Sequence, residues 1–198
     1  MNKFNEEKVE SLIKQLLEAF GEDINREGLK ETPRRVTKYW KELLEGSNYT
    51  NEEIAFMNNK CFTVPYDSMV VKEVKDVFSH CEHHLALMYN MKVVIAYIPV
   101  KTPEGMYKVL GLSKIPRIVK LCAKRLQLQE KLATDIAECI SIACGSKDIY
   151  VNIVGDHGCV SARGSNSEGF TDVTCLWGKF KTDSDLRNEV ERKINTLL

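Results

Sequence analysis

Of the four histidines in the chain, three stand at positions 80, 83 and 84, beside a cysteine. In Cys81-Glu82-His83-His84 the cysteine and the last histidine are three residues apart, so a turn can aim both at one point. Thiolate and imidazole are good zinc ligands. Taken alone, the segment reads equally well as a surface histidine cluster beside an ordinary cysteine. A second pair lies far along the chain, in Asp156-His157-Gly158-Cys159. Residues two apart on an extended backbone point the same way, and that is the expected arrangement of His157 and Cys159. Cys81, His84 and Cys159 would give a metal three protein ligands and leave one tetrahedral position open, the pattern of a catalytic rather than a structural zinc site. His83 and His157 would remain as acid–base groups, because histidine titrates near neutrality. Together the two segments point to a hydrolytic metal site.

Cations come next. Arg34, Arg35 and Lys38 fall on the first turns of one expected helix, Lys114 and Arg117 flank the start of another, and Arg163 follows Cys159. Any one of them reads alone as a solvated charge. A helix N-terminus beside Ser113 and Lys114 can receive an anion through its free N–H groups. Several such cations converging would suit a polyphosphate, and convergence is a property of the fold.

The elements that must carry these groups follow from periodicity. Val9, Leu12, Ile13, Leu16, Leu17 and Phe20 form one apolar helix face, stopped by Gly21. Thr32-Pro33 opens a second helix with a side-chain cap and a first-turn proline. Val36, Trp40, Leu43 and Leu44 are its buried stripe, and Gly46 ends it. Residues 51–58 add a short helix. Met69 to Phe78 and Met91 to Ile98 read as strands, the second apolar on both alternating sets and so covered on both faces. A loop over Pro99 to Gly105 leads to a short strand, Met106 to Leu112. Ser113 caps a helix carrying Ile115, Ile118, Val119, Cys122 and Leu126. A helix over about 129–144 turns Leu132, Ile136, Ile140 and Ala143 inward and stops at Gly145. Ile149 to Val154 and Val173 to Phe180 are strands, and a last helix carries Leu186, Val190, Ile194 and Leu197. Strands grouped around a helix pair predict an α+β fold with an antiparallel sheet. The simplest division is an N-terminal helical region, 1–60, on one catalytic unit, 61–198.

Composition narrows the classes. With 198 residues, 43% hydrophobic and 28% charged, the chain can bury a real core and is neither disordered nor collagen-like. Twenty-eight basic and 28 acidic residues cancel, so no global footprint for nucleic acid exists and any phosphate site must be local. Zero net charge also puts up little resistance to self-association. No apolar run is long enough for a transmembrane helix, and the N-terminus lacks the apolar core of a signal peptide. A cytoplasmic protein without membrane or nucleic-acid partners is expected. The seven cysteines then read as thiols or metal ligands rather than a disulfide framework. Cys122, Cys139 and Cys144 read as small core residues, while Cys61 and Cys175 have no partner spacing for a second site.

Several segments together resemble the GTP cyclohydrolase I family. They are Ser79 to His84, Gly111-Leu112-Ser113-Lys114-Ile115 with Arg117-Ile118-Val119, Gln127 to Leu132, and His157 to Gly164. The stretch from Arg26 to Val36 is similar to that family's N-terminal helical region. The likeness runs in order from about 16 to 190. It implies a tunnelling fold, in which sheets of many subunits join into a barrel, typically a decamer of two pentamers. It implies hydrolysis of GTP to 7,8-dihydroneopterin triphosphate and formate, the first step of pterin and tetrahydrofolate synthesis, with zinc as cofactor. Carried over residue by residue, Cys81, His84 and Cys159 match the zinc ligands, and His83 and His157 the catalytic histidines. Ser113, Lys114, Arg117, Arg163, Arg35 and Lys38 match or neighbour contacts to the ribose-triphosphate, with Ser113 a candidate for proton handling near the sugar. Glu130, with Gln129, matches the pair that recognises guanine.

The chain departs from the family pattern at His80, read as a bystander to the metal, in the longer connection Lys101 to Tyr107, and over 165–176. Two competing readings remain at this level. One is another tunnelling-fold enzyme acting on a pterin or deazapurine, which would generally lack the Cys…His…Cys set. The other is a metal-stabilised regulatory or assembly protein that binds nucleotide without turnover, against which both retained histidines argue.

Overall fold

The computed structural model describes residues 4–195; the expected helix position Leu197 lies outside the described residues. Helices α1 (Glu6–Ala19), α2 (Thr32–Leu43) and α3 (Asn51–Met57) come first, then strands β1 (Cys61–Val64), β2 (Val70–Cys81), β3 (Leu87–Tyr97), β4 (Val100–Lys101) and β5 (Tyr107–Leu110). Helix α4 (Lys114–Ala123), the short strand β6 (Leu126–Gln127) and helix α5 (Gln129–Cys144) follow. The chain continues through β7 (Ile149–His157), α6 (Gly158–Ser161), β8 (Thr171–Leu176), α7 (Lys179–Thr182) and α8 (Ser184–Asn195). The α+β class is as expected.

The main sheet has the order β6-β2-β3-β7-β8, and β1, β5 and β4 form a smaller one. The expected antiparallel pairing holds for β2, β3, β7 and β8, but β6 joins the edge in parallel, His80 opposite Leu126 and Cys81 opposite Gln127. The sheet is therefore mixed. Two residues of β6 are too few for periodicity to reveal them, and their partners lie over forty positions away.

Strand β3 is buried on both faces because its alternating sets meet different layers. Val93, Ile95 and Tyr97 join the core under α4 and α5, while Val94 and Ala96 pack with Tyr150, Phe180 and Val190 beneath α7 and α8. Helix α5 has the expected bounds, and Gly145 ends it in the left-handed region at φ +82°, with its N–H on Ser141 O at 2.7 Å. Helix α3 is fixed by a capping box, in which Glu53 N donates to Thr50 Oγ1 and Thr50 N to Glu53 Oε2. Its Ile54 and Ala55 are fully buried in the main core, which thus runs across residue 60.

The apolar face of α1 forms as expected but stays largely uncovered: Leu12, Leu16 and Phe20 are exposed, and α1 packs chiefly on α2. Other expectations need correction. Helix α2 buries Pro33 and Thr37, and Val36, Trp40, Leu43 and Leu44 are only half-buried. Neither expected side-chain cap forms; Thr32 Oγ1 donates back to Gly28 O, and Ser113 stands at the start of α4 without a capping bond. Leu126 belongs to β6 rather than α4, and the final strand stops at Leu176, where Gly178 turns the chain into α7.

One buried charge ties the helices to the sheet. Arg125 donates to Asp135 Oδ2 at 2.8 Å, Asn51 Oδ1 at 2.7 Å, Tyr49 O at 2.9 Å and Gly46 O at 3.2 Å. Gly46 has to be glycine here, since a Cβ would lie 2.0 Å from Leu121 O. Removing one partner of a buried pair strands the other. Arg125→Met should therefore lower stability by about 3 kcal/mol in urea unfolding. Lys124→Met, which loses only the more exposed pair to Glu45, should cost under about 1 kcal/mol.

Candidate metal centre

Cys81 is the last residue of β2, and its N–H donates to Ala86 O at 2.9 Å, closing a tight loop over Glu82-His83-His84-Leu85. Leu85 N returns to Cys81 O at 2.9 Å, which forces Leu85 into the left-handed region at φ +53°. A leucine there is strained, and such strain collects where geometry matters more than stability. The loop turns the His84 ring back toward the Cys81 thiol. From the other side, β7 ends at His157 and Gly158 opens α6, which carries Cys159. The expected extended His157–Cys159 arrangement is thus replaced by a helical turn. Gly158 lies so close to β3 that a Cβ would sit 3.1 Å from Leu87 O, and the chain must turn there.

The result is one cluster. The ligand atoms of Cys81, His84 and Cys159 all lie within 4.8 Å of one another. Cys81 is buried, Cys159 half-buried and His84 exposed, so the group opens to solvent on one side. Burial raises the pKa of the Cys159 thiol, and the charge and hydrogen bond of Cys81 push it the same way. A thiol whose pKa is held up by a neighbouring thiol is suited to a cation between the two, which favours its thiolate. The residues therefore fit a zinc ion with three protein ligands and one open position.

The surroundings are built from β6 and α5. The side chain of Gln127, fully buried, donates to Ser79 Oγ at 3.0 Å and Cys122 O at 2.8 Å, and its backbone carbonyl accepts from Glu82 N at 3.3 Å. Two residues on, Gln129 is also buried; it donates to Ile153 O and Thr171 O and lies 2.6 Å from His157 Nε2. Glu130 is exposed in the first turn of α5. Burial lowers the pKa of His157, while the charges of Glu130 and Asp156 raise it in part, which puts both carboxylates near the ring. Arg163, on the segment after α6, is close enough to Cys159 to favour its thiolate. Tyr89 Oη meets Ser161 Oγ at 3.2 Å, and Ser161 donates to His157 O at 3.1 Å, fastening α6 to β3.

The remaining expected residues stand apart. His83 is exposed in the ligand loop, its ring 6.2 Å from that of His84. Ser113, Arg117, Arg35 and Lys38 are exposed and Lys114 half-buried; among the described residues none shares an ion pair or side-chain hydrogen bond with the cluster. Arg117 lines a separate cavity of about 340 Å³ with Glu45, Asn58 and Lys124. His80 is outside the ligand group yet is no idle surface residue: it is 2% exposed, with Nε2 at 2.9 Å from Tyr39 Oη and Trp40 against its ring. The roles of Gln127, Ser79, Tyr89 and Arg125 escaped the sequence reading. Only the polar run Gln127 to Glu130, at a helix start, signalled part of them.

Cys159→Ser and His84→Ala should each lose stoichiometric zinc on dialysis, and His83→Ala should retain it, with zinc measured by atomic emission on folded protein.

The GTP cyclohydrolase I family profile matches residues 9–195. A GTP cyclohydrolase 1 of Ruminiclostridium cellulolyticum is 49% identical over 190 residues, covering 92% of this chain and 94% of that protein. Proteins of the same name from Clostridium botulinum (strain Kyoto) and Clostridium beijerinckii are 46% and 44% identical, covering 92% and 94% of this chain and 93% and 95% of their own lengths. With identity of this order along nearly the whole chain, and a matching profile from the first helix to the last, the chain belongs to the GTP cyclohydrolase I family.

Proposed function

We propose that this chain hydrolyses GTP to 7,8-dihydroneopterin triphosphate and formate, with zinc held by Cys81, His84 and Cys159. The observation that carries the reading is the cluster of these three ligands, open on one side, with His157 and Glu130 beside it. Zinc, when bound, supplies Lewis-acid activation of water at its open position. The chain's own residues do the rest. Glu130 accepts hydrogen bonds from guanine N1–H and the 2-amino group, two donors side by side that a carboxylate matches. Its place in the first turn of α5 favours the ionised form. His157 holds the proton that moves to and from purine N7, and His83, exposed in the ligand loop, serves the second hydrolysis that releases formate. Ser113 moves a proton near the opened sugar. Lys114, Arg117, Arg163, Arg35 and Lys38 bind the triphosphate, with some of them reaching the site of a neighbouring copy.

That last point extends the reading to assembly. The uncovered apolar face of α1, with exposed Phe170, Leu112 and Phe62, and the outer edge of β8 suit association of identical copies. We take the sheets to join into the barrel of a tunnelling fold in a homo-oligomer, a decamer of two pentamers. No helix among the described residues is long and apolar enough to cross a membrane, and seven unpaired thiols suit the cytoplasm. Residues 1–60 then serve as the helical extension of the catalytic unit 61–198.

The direct test follows formate and the oxidised pterin fluorophore from GTP. His157→Ala should keep zinc and slow turnover by about 10²-fold or more; a zinc-loaded wild type that releases no formate contradicts the reading. ITP, which lacks the 2-amino group, forfeits one hydrogen bond to a charged acceptor, worth about 1.5–3 kcal/mol. Wild type should therefore prefer GTP over ITP by about 10- to 100-fold in kcat/KM, and Glu130→Ala should use both poorly and alike. Equal use of both by wild type would remove Glu130 as the base reader. Sedimentation should find the active species larger than a monomer, and a fully active monomer would contradict the assembly.

A further inference from the structure

The side chain of Gln129 stands against one ring nitrogen of His157. Gln129 is 1% exposed, and its Nε2 donates to Ile153 O at 2.8 Å and Thr171 O at 3.1 Å. Both partners are backbone carbonyls, which only accept. Reversing the amide would set Oε1 against two carbonyl oxygens in a buried place, so its orientation is fixed by the fold rather than by choice. Oε1 therefore faces His157 Nε2 at 2.6 Å. An amide oxygen accepts and cannot donate, so the proton of this bond belongs to His157 Nε2.

We propose that Gln129 is a positioning residue that holds His157 as the Nε2–H tautomer and leaves Nδ1 as the nitrogen that takes and gives protons during turnover. The proposal deepens the reading above and rests on it for the role of His157. It also takes Gln129 out of base recognition. Its two amide hydrogens and its oxygen are all spent on protein partners from β7, β8 and the histidine itself, so of the two side chains only Glu130 is left to read the base. The anchor is rigid for a reason: Ile153 and Thr171 belong to paired strands, with Ile153 opposite Val173 and Gly155 opposite Thr171. Gln129 thus fixes the ring against the sheet rather than against a mobile loop. Partners that orient a functional histidine in this way typically contribute about 10- to 100-fold to activity.

Two measurements test this. Solid-state 15N NMR of histidine-labelled, zinc-loaded wild type reads the tautomer without turnover, and the four histidines can be assigned one by one with single alanine variants. His157 should show a protonated Nε2 and an unprotonated Nδ1 in its neutral form; the opposite tautomer overturns the proposal. In Gln129→Met the zinc-loaded enzyme should lose about 10- to 100-fold in kcat for formate release, with KM for GTP and the preference over ITP kept. A raised KM and lost preference with kcat kept would make Gln129 a base contact and overturn it. A merely structural role would lower thermal stability without separating kcat from KM. If wild type released no formate from GTP, the functional reading would fail while the NMR result still stood on its own.

Discussion

Strand β3 pairs with β2 on one side and β7 on the other, and the site depends on that double register. Met88, fully buried, faces Ser79 of β2 and His157 of β7 in one row across the sheet. Cys81 lies two residues past Ser79 and Cys159 two past His157, along strands that run the same way. Two ligands nearly eighty positions apart in the chain thereby meet without any local signal. A slip of one residue in either ladder would turn every side chain of the slipped strand to the opposite face, and a slip of β2 would put His80 where Cys81 stands. The large apolar load on both faces of β3 is what holds the register, because both cores would have to be exposed to shift it.

Polar fasteners then convert a fixed register into fixed side chains. Gln127 and Gln129, two apart at the junction of β6 and α5, each spend a buried amide NH2 on oxygens of neighbouring elements, the Ser79 hydroxyl and Cys122 O for the first and Ile153 O and Thr171 O for the second. Arg125 anchors the same junction to Gly46, Tyr49 and Asn51 from behind. A buried network of this kind costs desolvation and returns specificity where its members are paired; among the described residues Gln127 Oε1 is the one oxygen of the two amides left without a partner. Here the network defines where α5 begins, and hence where Glu130 and the histidine partner of Gln129 stand. The strained turn at Leu85 plays the matching part on the opposite side, bringing His84 back over Cys81.

What was legible in the sequence was local or chemical. Helix α5 and its glycine stop were readable because a long 3.6-residue pattern and a left-handed glycine are strong signals, and the grouping of Cys81, His84 and Cys159 because thiols and imidazoles in short clusters are rare. The short strands β1, β4 and β6 were not readable, since strand pairing over two to four residues is decided by distant partners. The apolar face of α1 was legible, but what packs on it was not, because an amphipathic pattern does not say which surface covers a helix. The turn between His157 and Cys159 was missed for a related reason: spacing by two implies a strand only while the strand continues, and close packing of Gly158 on β3 ends it. Hydrogen bonds from Arg125 and Gln127 leave no trace in composition or period.

The central claim is that one register brings Cys81, His84 and Cys159 to a single metal. X-ray absorption at the zinc edge of the loaded protein tests it most directly. The account predicts a four-coordinate first shell with two sulfurs at about 2.3 Å and light atoms at about 2.0–2.1 Å, one of them an imidazole nitrogen. A shell without sulfur, or one of four sulfurs, would contradict it.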